Sequence, residues 1–201
     1  MSLLLWFPLN GDLTNNGVHK IDMNNNNKVT IHDTGKLGGK CYFLSNTALA
    51  AKGFTSLNNT SEYSACCWVK FSSFPASGQA YCLSVNTTSS TDYKFIIGIV
   101  SSDGTTAQMR VNANSKTDTG TLQLNTWYHL AFCVSGTKGY MYLNGELIKT
   151  VTGLSQTPAS NFVIGGRSSN TGATSFNGTG APAYYNDVRV YDHCLSPREV
   201  K

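Results

Sequence analysis

Hydrophobic and polar positions along this chain change over in short blocks. Apolar and aromatic runs are bounded by Gly, Asn, Asp, Ser and Thr, the signature of strands and turns in antiparallel sheets. The runs predict strands at 3–9, 28–33, 40–45, 63–73, 79–86, 93–100, 106–113, 127–135, 139–144, 146–151, 161–165 and 184–191. Twelve strands call for two sheets or a barrel. Two hairpins are signalled. Ser102-Asp103-Gly104 joins 93–100 to 106–113, and Asn144-Gly145, which supplies the positive φ angles of a type I′ turn, joins 139–144 to 146–151.

Alternation assigns faces. In 127–135, Tyr128, Leu130, Phe132 and Val134 make one apolar row, while Trp127, His129, Ala131 and Cys133 share the other. Tyr140-Met141-Tyr142-Leu143 is apolar or aromatic on both sides of the pleat, which predicts a strand covered on both faces. Both strands read as central.

Only the end looks helical. Ser196 stands as N-cap, Pro197 takes the first helical position, and Glu199 follows the cap by three residues. So complete a cap on so short a helix suggests a chain that continues, and 1–201 reads as a single domain at the N-terminus of a longer protein. Two stretches, 22–27 and 167–182, read as loops from their Asn, Ser, Thr and Gly content. Long loops on a rigid sandwich are where function concentrates.

Composition agrees with an all-β fold. Asn, Ser, Thr and Gly together supply 81 of 201 residues, only 13% are charged, and there are three glutamates, Glu62, Glu146 and Glu199. That mixture excludes coiled coils and helical bundles. The net charge of +4 is spread without a basic cluster, which argues against nucleic acid as a ligand. The opening Met1 to Pro8 lacks a basic n-region and reads as a first strand rather than a signal peptide, and no segment has the roughly 20 apolar residues of a membrane span. Six cysteines occur without zinc spacing, with Cys66, Cys67, Cys82 and Cys133 inside predicted strands. They read as reduced and mostly buried thiols, with neighbours Cys66 and Cys67 on opposite sheet faces.

These pieces resemble the laminin-G-like, concanavalin A-like jelly rolls. The resemblance is carried by Trp127-Tyr128-His129-Leu130-Ala131-Phe132 with Tyr140-Met141-Tyr142-Leu143-Asn144-Gly145, by Ser64 to Lys70, and by Val163-Ile164-Gly165-Gly166. It continues in Asn186 to Tyr191, and in Trp6 to Asp12 at the start. It implies an antiparallel two-sheet β-sandwich with a short C-terminal helix. The closing Tyr191 to Lys201 is similar to modules in tail and other virion proteins of bacteriophages and prophages. That implies a virion protein, made in the host cytoplasm and working outside the cell, with other virion proteins as partners and a homotrimer as a possible full-length state.

Folds of this kind serve as lectins, glycosidases or packing modules, so residues must decide. Glycosidases use paired carboxylates, and none of the three glutamates has a carboxylate within four residues. No catalytic residue is assigned. Calcium is a candidate cofactor, because relatives bind it through oxygen ligands near strand ends and Asn10, Asp12 and Asp187 match those positions. Sugar binding needs aromatic faces and planar amides. Trp6, Trp68 and Trp127 match strand positions and read as core, which leaves Asn86, Phe176, Asn177, Tyr184 and Tyr185 as the candidate glycan site. The first expectation is a non-enzymatic module that recognises host-surface or mucus glycans. The alternatives are a structural module that decorates or trimerises a fibre, and, third, a glycoside hydrolase.

Overall fold

The computed structural model describes residues 1–24, 29–45, 47–87, 93–111, 116–168, 176–177 and 180–201. In chain order its strands begin with β1 (Leu3–Phe7), β2 (Thr30–His32), β3 (Cys41–Leu44), β4 (Leu49–Lys52) and β5 (Glu62–Phe71). They continue with β6 (Gly78–Asn86), β7 (Tyr93–Ser101), β8 (Thr106–Val111), β9 (Lys116–Gln123), β10 (Trp127–Ser135) and β11 (Lys138–Leu143). The series ends with β12 (Glu146–Val151), β13 (Asn161–Ile164), β14 (Arg167–Ser168), β15 (Phe176–Asn177) and β16 (Ala183–Tyr191), followed by helix α1 (Pro197–Val200).

The strands form two antiparallel sheets and a small ribbon. An eight-stranded sheet runs β12-β11-β10-β5-β16-β3-β2, with β1 also paired to β16, and a six-stranded sheet runs β4-β13-β6-β7-β8-β9. The strand β16 is thus central, between β5 and β3, and β10 and β11 are interior as their two-sided apolar pattern predicts. Each strand expected from the sequence is present. Beyond them, β4 is built on Leu49-Ala50-Ala51, which carries little strand signal, and β9 is a Thr-rich strand at the edge of its sheet. The ribbon β14-β15 falls inside the stretch expected to be loop.

Period-two alternation builds the core between the sheets. On β5 the inward residues are Tyr63, Ala65, Cys67, Val69 and Phe71, and on β10 they are Tyr128, Leu130, Phe132 and Val134. Their counterparts across the sandwich include Phe95, Ile97 and Ile99 of β7 and Phe162 and Ile164 of β13. Aromatic pairs bridge the sheets: Phe7 stacks on Phe162 at 6.0 Å and Tyr63 on Phe95 at 5.7 Å. The Tyr63 hydroxyl donates to the Lys94 carbonyl at 2.8 Å, so this buried polar group is satisfied. Each such aromatic contributes about 2 to 3 kcal/mol through burial. Gly139 is fixed by this packing, since a Cβ there would stand 2.5 Å from the Phe132 ring.

A second, smaller cluster covers part of the outer face of the eight-stranded sheet. Leu195 and Val200 of the C-terminal segment pack on Cys66, Ala131, Cys133 and Tyr142. The Ser64 hydroxyl secures the approach by donating to the His193 carbonyl and accepting from the Leu195 amide. The expected cap forms, with the Glu199 carboxylate accepting from the backbone amide and the hydroxyl of Ser196 at 2.8 and 2.7 Å. Cys66 and Cys67 do lie on opposite faces, one in each cluster, and five of the six thiols are buried. No helix among the described residues is long and apolar enough to cross a membrane.

Candidate functional site

Strand parity gives the eight-stranded sheet a chemically distinct outer face. The outward residues of β5 are Ser64, Cys66, Trp68 and Lys70, and those of β10 are Trp127, His129, Ala131 and Cys133. Strand register then aligns them into lateral rows. Phe43, Tyr184, Lys70 and Trp127 stand opposite one another across β3, β16, β5 and β10. The adjacent row is Asn186, Trp68 and His129. Further along, Ala131 and Cys133 lie beneath the C-terminal segment, whereas the first two rows lie beyond it.

Rings and cations interleave within these rows. The Lys70 ammonium lies 4.5 Å from the Tyr184 ring centroid and 5.3 Å from that of Trp127. Phe43 meets Tyr184 at 4.7 Å, and His32 meets Tyr184 edge-on at 5.1 Å. Trp68 has the Lys36 ammonium at 4.8 Å and the His129 ring at 5.2 Å. Phe43, Trp68, Lys70, Trp127, His129 and Tyr184 are all half-buried.

Beside the rows, β16 leaves register between Asn186 and Arg189, with Asp187 at φ +51°. This bulge sits where β3 and β1 meet end to end along β16. The Asn186 amide closes the junction, donating to the carbonyls of Pro8 and Lys40 and accepting from the Leu37 amide. Asp187 Oδ1 accepts from Trp6 Nε1 at 2.8 Å and from Arg189 Nε at 2.9 Å, and the guanidinium lies 5.2 Å from the Trp6 centroid. A cleft of about 350 Å³ borders this group, lined among others by Trp68, His129, Asn144, Arg189, Glu199 and Lys201.

Burial and neighbouring charges set the ionisation of the groups here. Burial pushes the His129 pKa below its ordinary 6.5, with Asp187 opposing and Arg189 adding to the shift, so the imidazole is neutral at neutral pH. Its ring both donates and accepts. The carboxylates bordering the cleft are engaged, Asp187 by Trp6 and Arg189, and Glu199 by Ser196, whose hydrogen bonds lower its pKa.

The expected glycan residues do not converge. Tyr184 lies in the first row. Tyr185, its neighbour, points the other way and is wholly buried in the core, which corrects its reading as a surface group. Asn86 is buried at the end of β6 in the other sheet, opposite Asn161 and Tyr93. Phe176 and Asn177 form β15, paired with β14, and their side chains lie outside the described residues. The tryptophans are also corrected. Trp6, Trp68 and Trp127 are not core residues but half-buried groups of the outer face. Parity carries the signal, since Trp127 shares a row with His129 rather than with Leu130 and Phe132.

Of the calcium candidates, Asn10 Oδ1 accepts from the Lys40 amide at 2.6 Å, Asp12 Oδ1 from the Thr14 amide at 2.8 Å, and Asp187 is engaged as above. These oxygens hold the chain to itself. The described residues contain no group of three or more His, Cys, Asp or Glu arranged to hold a metal.

Residues 43–201 match the family model described as the concanavalin A-like lectin/glucanases superfamily. No curated protein matches the sequence. Among solved structures, the chain is similar to domain 4 of AbnA, an extracellular arabinanase of Geobacillus stearothermophilus, in complex with arabinotriose. The identity is 19% and the TM-score 0.67, over 99% of this chain and 96% of that one. It is also similar to the receptor-binding domain of botulinum neurotoxin type G, at 14% identity and TM-score 0.67, covering 100% of this chain but 50% of that one. Trypanosoma rangeli sialidase matches at 15% identity and TM-score 0.68, over 99% of this chain and 32% of its own length. The chain therefore spans about half of the neurotoxin domain and about a third of the sialidase.

Proposed function

The chain belongs to the concanavalin A-like lectin/glucanases superfamily, and from that premise we propose that it is a non-enzymatic glycan-binding module whose contact surface is the outer face of the eight-stranded sheet. The observation that carries this reading is the lateral row Phe43, Tyr184, Lys70 and Trp127, with Trp68 and His129 beside it. Three aromatic residues and a cation directly opposite one another on four adjacent strands offer ring faces for sugar C–H groups and donors for hydroxyls. Rigid strands preset this geometry, so little ordering cost falls on binding. The arabinotriose carried by the similar arabinanase domain supports the same class of ligand.

A binding role rather than hydrolysis fits the carboxylates. A general acid needs a raised pKa. Glu199 has a lowered one, and Asp187 is held by an arginine and an indole. The similarity of Tyr191 to Lys201 to phage tail modules supports adhesion to host-surface or mucus glycans as the setting, in a virion protein.

The test is a glycan array followed by titration of the best binder. Trp127→Ala and Tyr184→Ala should each weaken binding at least about tenfold, as central aromatic anchors do, with the thermal midpoint little changed. An array silent for the wild-type chain, together with a stable oligomer in solution, would replace this reading with the structural one. Turnover of a bound oligosaccharide would replace it with hydrolysis.

A further inference from the structure

Charge on this face is distributed in a way that names the class of glycan. Lys70 stands between two aromatic rings and Lys36 over a third, and neither ammonium has a carboxylate within 4.0 Å among the described residues. The carboxylates bordering the cleft are already used, Asp187 by Arg189 and Trp6, and Glu199 by Ser196. Lys36 and Lys70 thus make no ion pair with the described residues. Aromatic faces hold the cations in position without neutralising them.

Resting on the glycan-binding reading above, we infer that the face takes an acidic glycan, with uronic-acid carboxylates pairing with Lys36 and Lys70 while the sugar rings lie against Trp68, Trp127 and Tyr184. Such a ligand breaks no ion pair within the described protein on arrival. A neutral glycan offers the two ammonium groups hydroxyl acceptors but no countercharge, so it returns less of their desolvation than a carboxylate does. The dimensions suit an oligosaccharide. Four adjacent strands place Phe43 and Trp127 about 14 Å apart, and two residues along β5 separate Lys70 from Trp68 by about 7 Å.

The experiment titrates the whole chain with a polyuronate trisaccharide and with a neutral glucan trisaccharide of the same linkage, at low and at physiological salt. The uronate should bind about tenfold more tightly at low salt, the sum of two exposed ion pairs, and the difference should shrink as salt rises. Lys36→Gln with Lys70→Gln should abolish the preference, bringing the uronate to the affinity that the same variant has for the neutral sugar. Lys52→Gln, at an exposed lysine on β4 in the other sheet, should leave the preference intact. Equal or tighter binding of the neutral sugar overturns the acidic class and leaves the binding face standing. A preference that survives the double substitution, or that Lys52→Gln reduces as much, overturns the assignment to these two lysines. Failure of both sugars to bind overturns the inference, and with a silent array it overturns the glycan-binding reading too.

Discussion

The indole N–H of Trp6 donates to Asp187 Oδ1 at 2.8 Å, joining the first strand to the bulge in β16 across 181 residues of chain. Asp187 also holds Arg189 and occupies a left-handed backbone conformation, so three features of the site meet in one side chain.

Asp187→Ala should therefore be costly. It removes hydrogen bonds to an ionised acceptor and places alanine at a positive φ that asparagine or aspartate tolerates better, for a loss of about 3 kcal/mol. Asp187→Asn keeps the backbone preference and one acceptor oxygen and should lose about half as much. Urea unfolding of both variants measures this, and equal losses would mean that backbone strain contributes nothing.

Tyr184 and Tyr185 should separate binding from stability. Tyr184→Ala acts on the open face and should weaken ligand binding with a small effect on folding. Tyr185→Ala empties a core position and should cost about 3 to 5 kcal/mol. Tyr185→Phe should lie within about 1 kcal/mol of wild type or above it, because the buried hydroxyl has no oxygen or nitrogen partner among the described residues and faces the Cys82 and Cys67 thiols. Thermal and urea midpoints set beside titrations decide it.

His129 should make stability depend on pH in a defined direction. Its folded pKa lies below 6.5, so on acidification the unfolded chain takes up the proton first. Stability is unaffected by this group above 6.5 and falls as pH drops from there towards the folded value. His129→Gln should flatten the part of the curve that begins around the ordinary value of 6.5 and runs to lower pH. An unchanged slope would assign the dependence to other groups.

Detaching the C-terminal segment should alter thiol chemistry. Val200 packs against the cluster containing Cys133, whose pKa burial pushes up to about 12, and Cys66 beside it is likewise pushed up to about 12. In the native protein both should resist maleimide at neutral pH, with the half-buried Cys194 reacting first. Val200→Asp should render Cys133 and Cys66 reactive, as peptide mass mapping would show. Continued protection would mean that the strands alone shield them.

Strand positions are legible in the sequence because alternation and turn residues mark them independently of packing. Leu49 to Lys52 and Lys116 to Gln123 escape for the same reason, one being short and alanine-rich and the other an edge strand with a polar sequence. The site is legible only in part. Tryptophan is the largest apolar side chain, and assigning Trp6, Trp68 and Trp127 to the core follows size over parity. Parity is the better guide, since it already places Trp127 with His129. Tyr184 and Tyr185 cannot both face outward on one strand, and which of them does is set by the pairing of β16 with β3 and β5, a long-range fact absent from local sequence.

The central place of β16 governs how the protein is made. β5, β3 and β1 all pair with residues 183–191. Until that strand has left the ribosome, the eight-stranded sheet has a gap through its middle, with unpaired edges on either side. Closure joins strands more than a hundred residues apart, so the chain belongs among slow folders of high contact order. Until then the nascent chain carries an open template for mispairing.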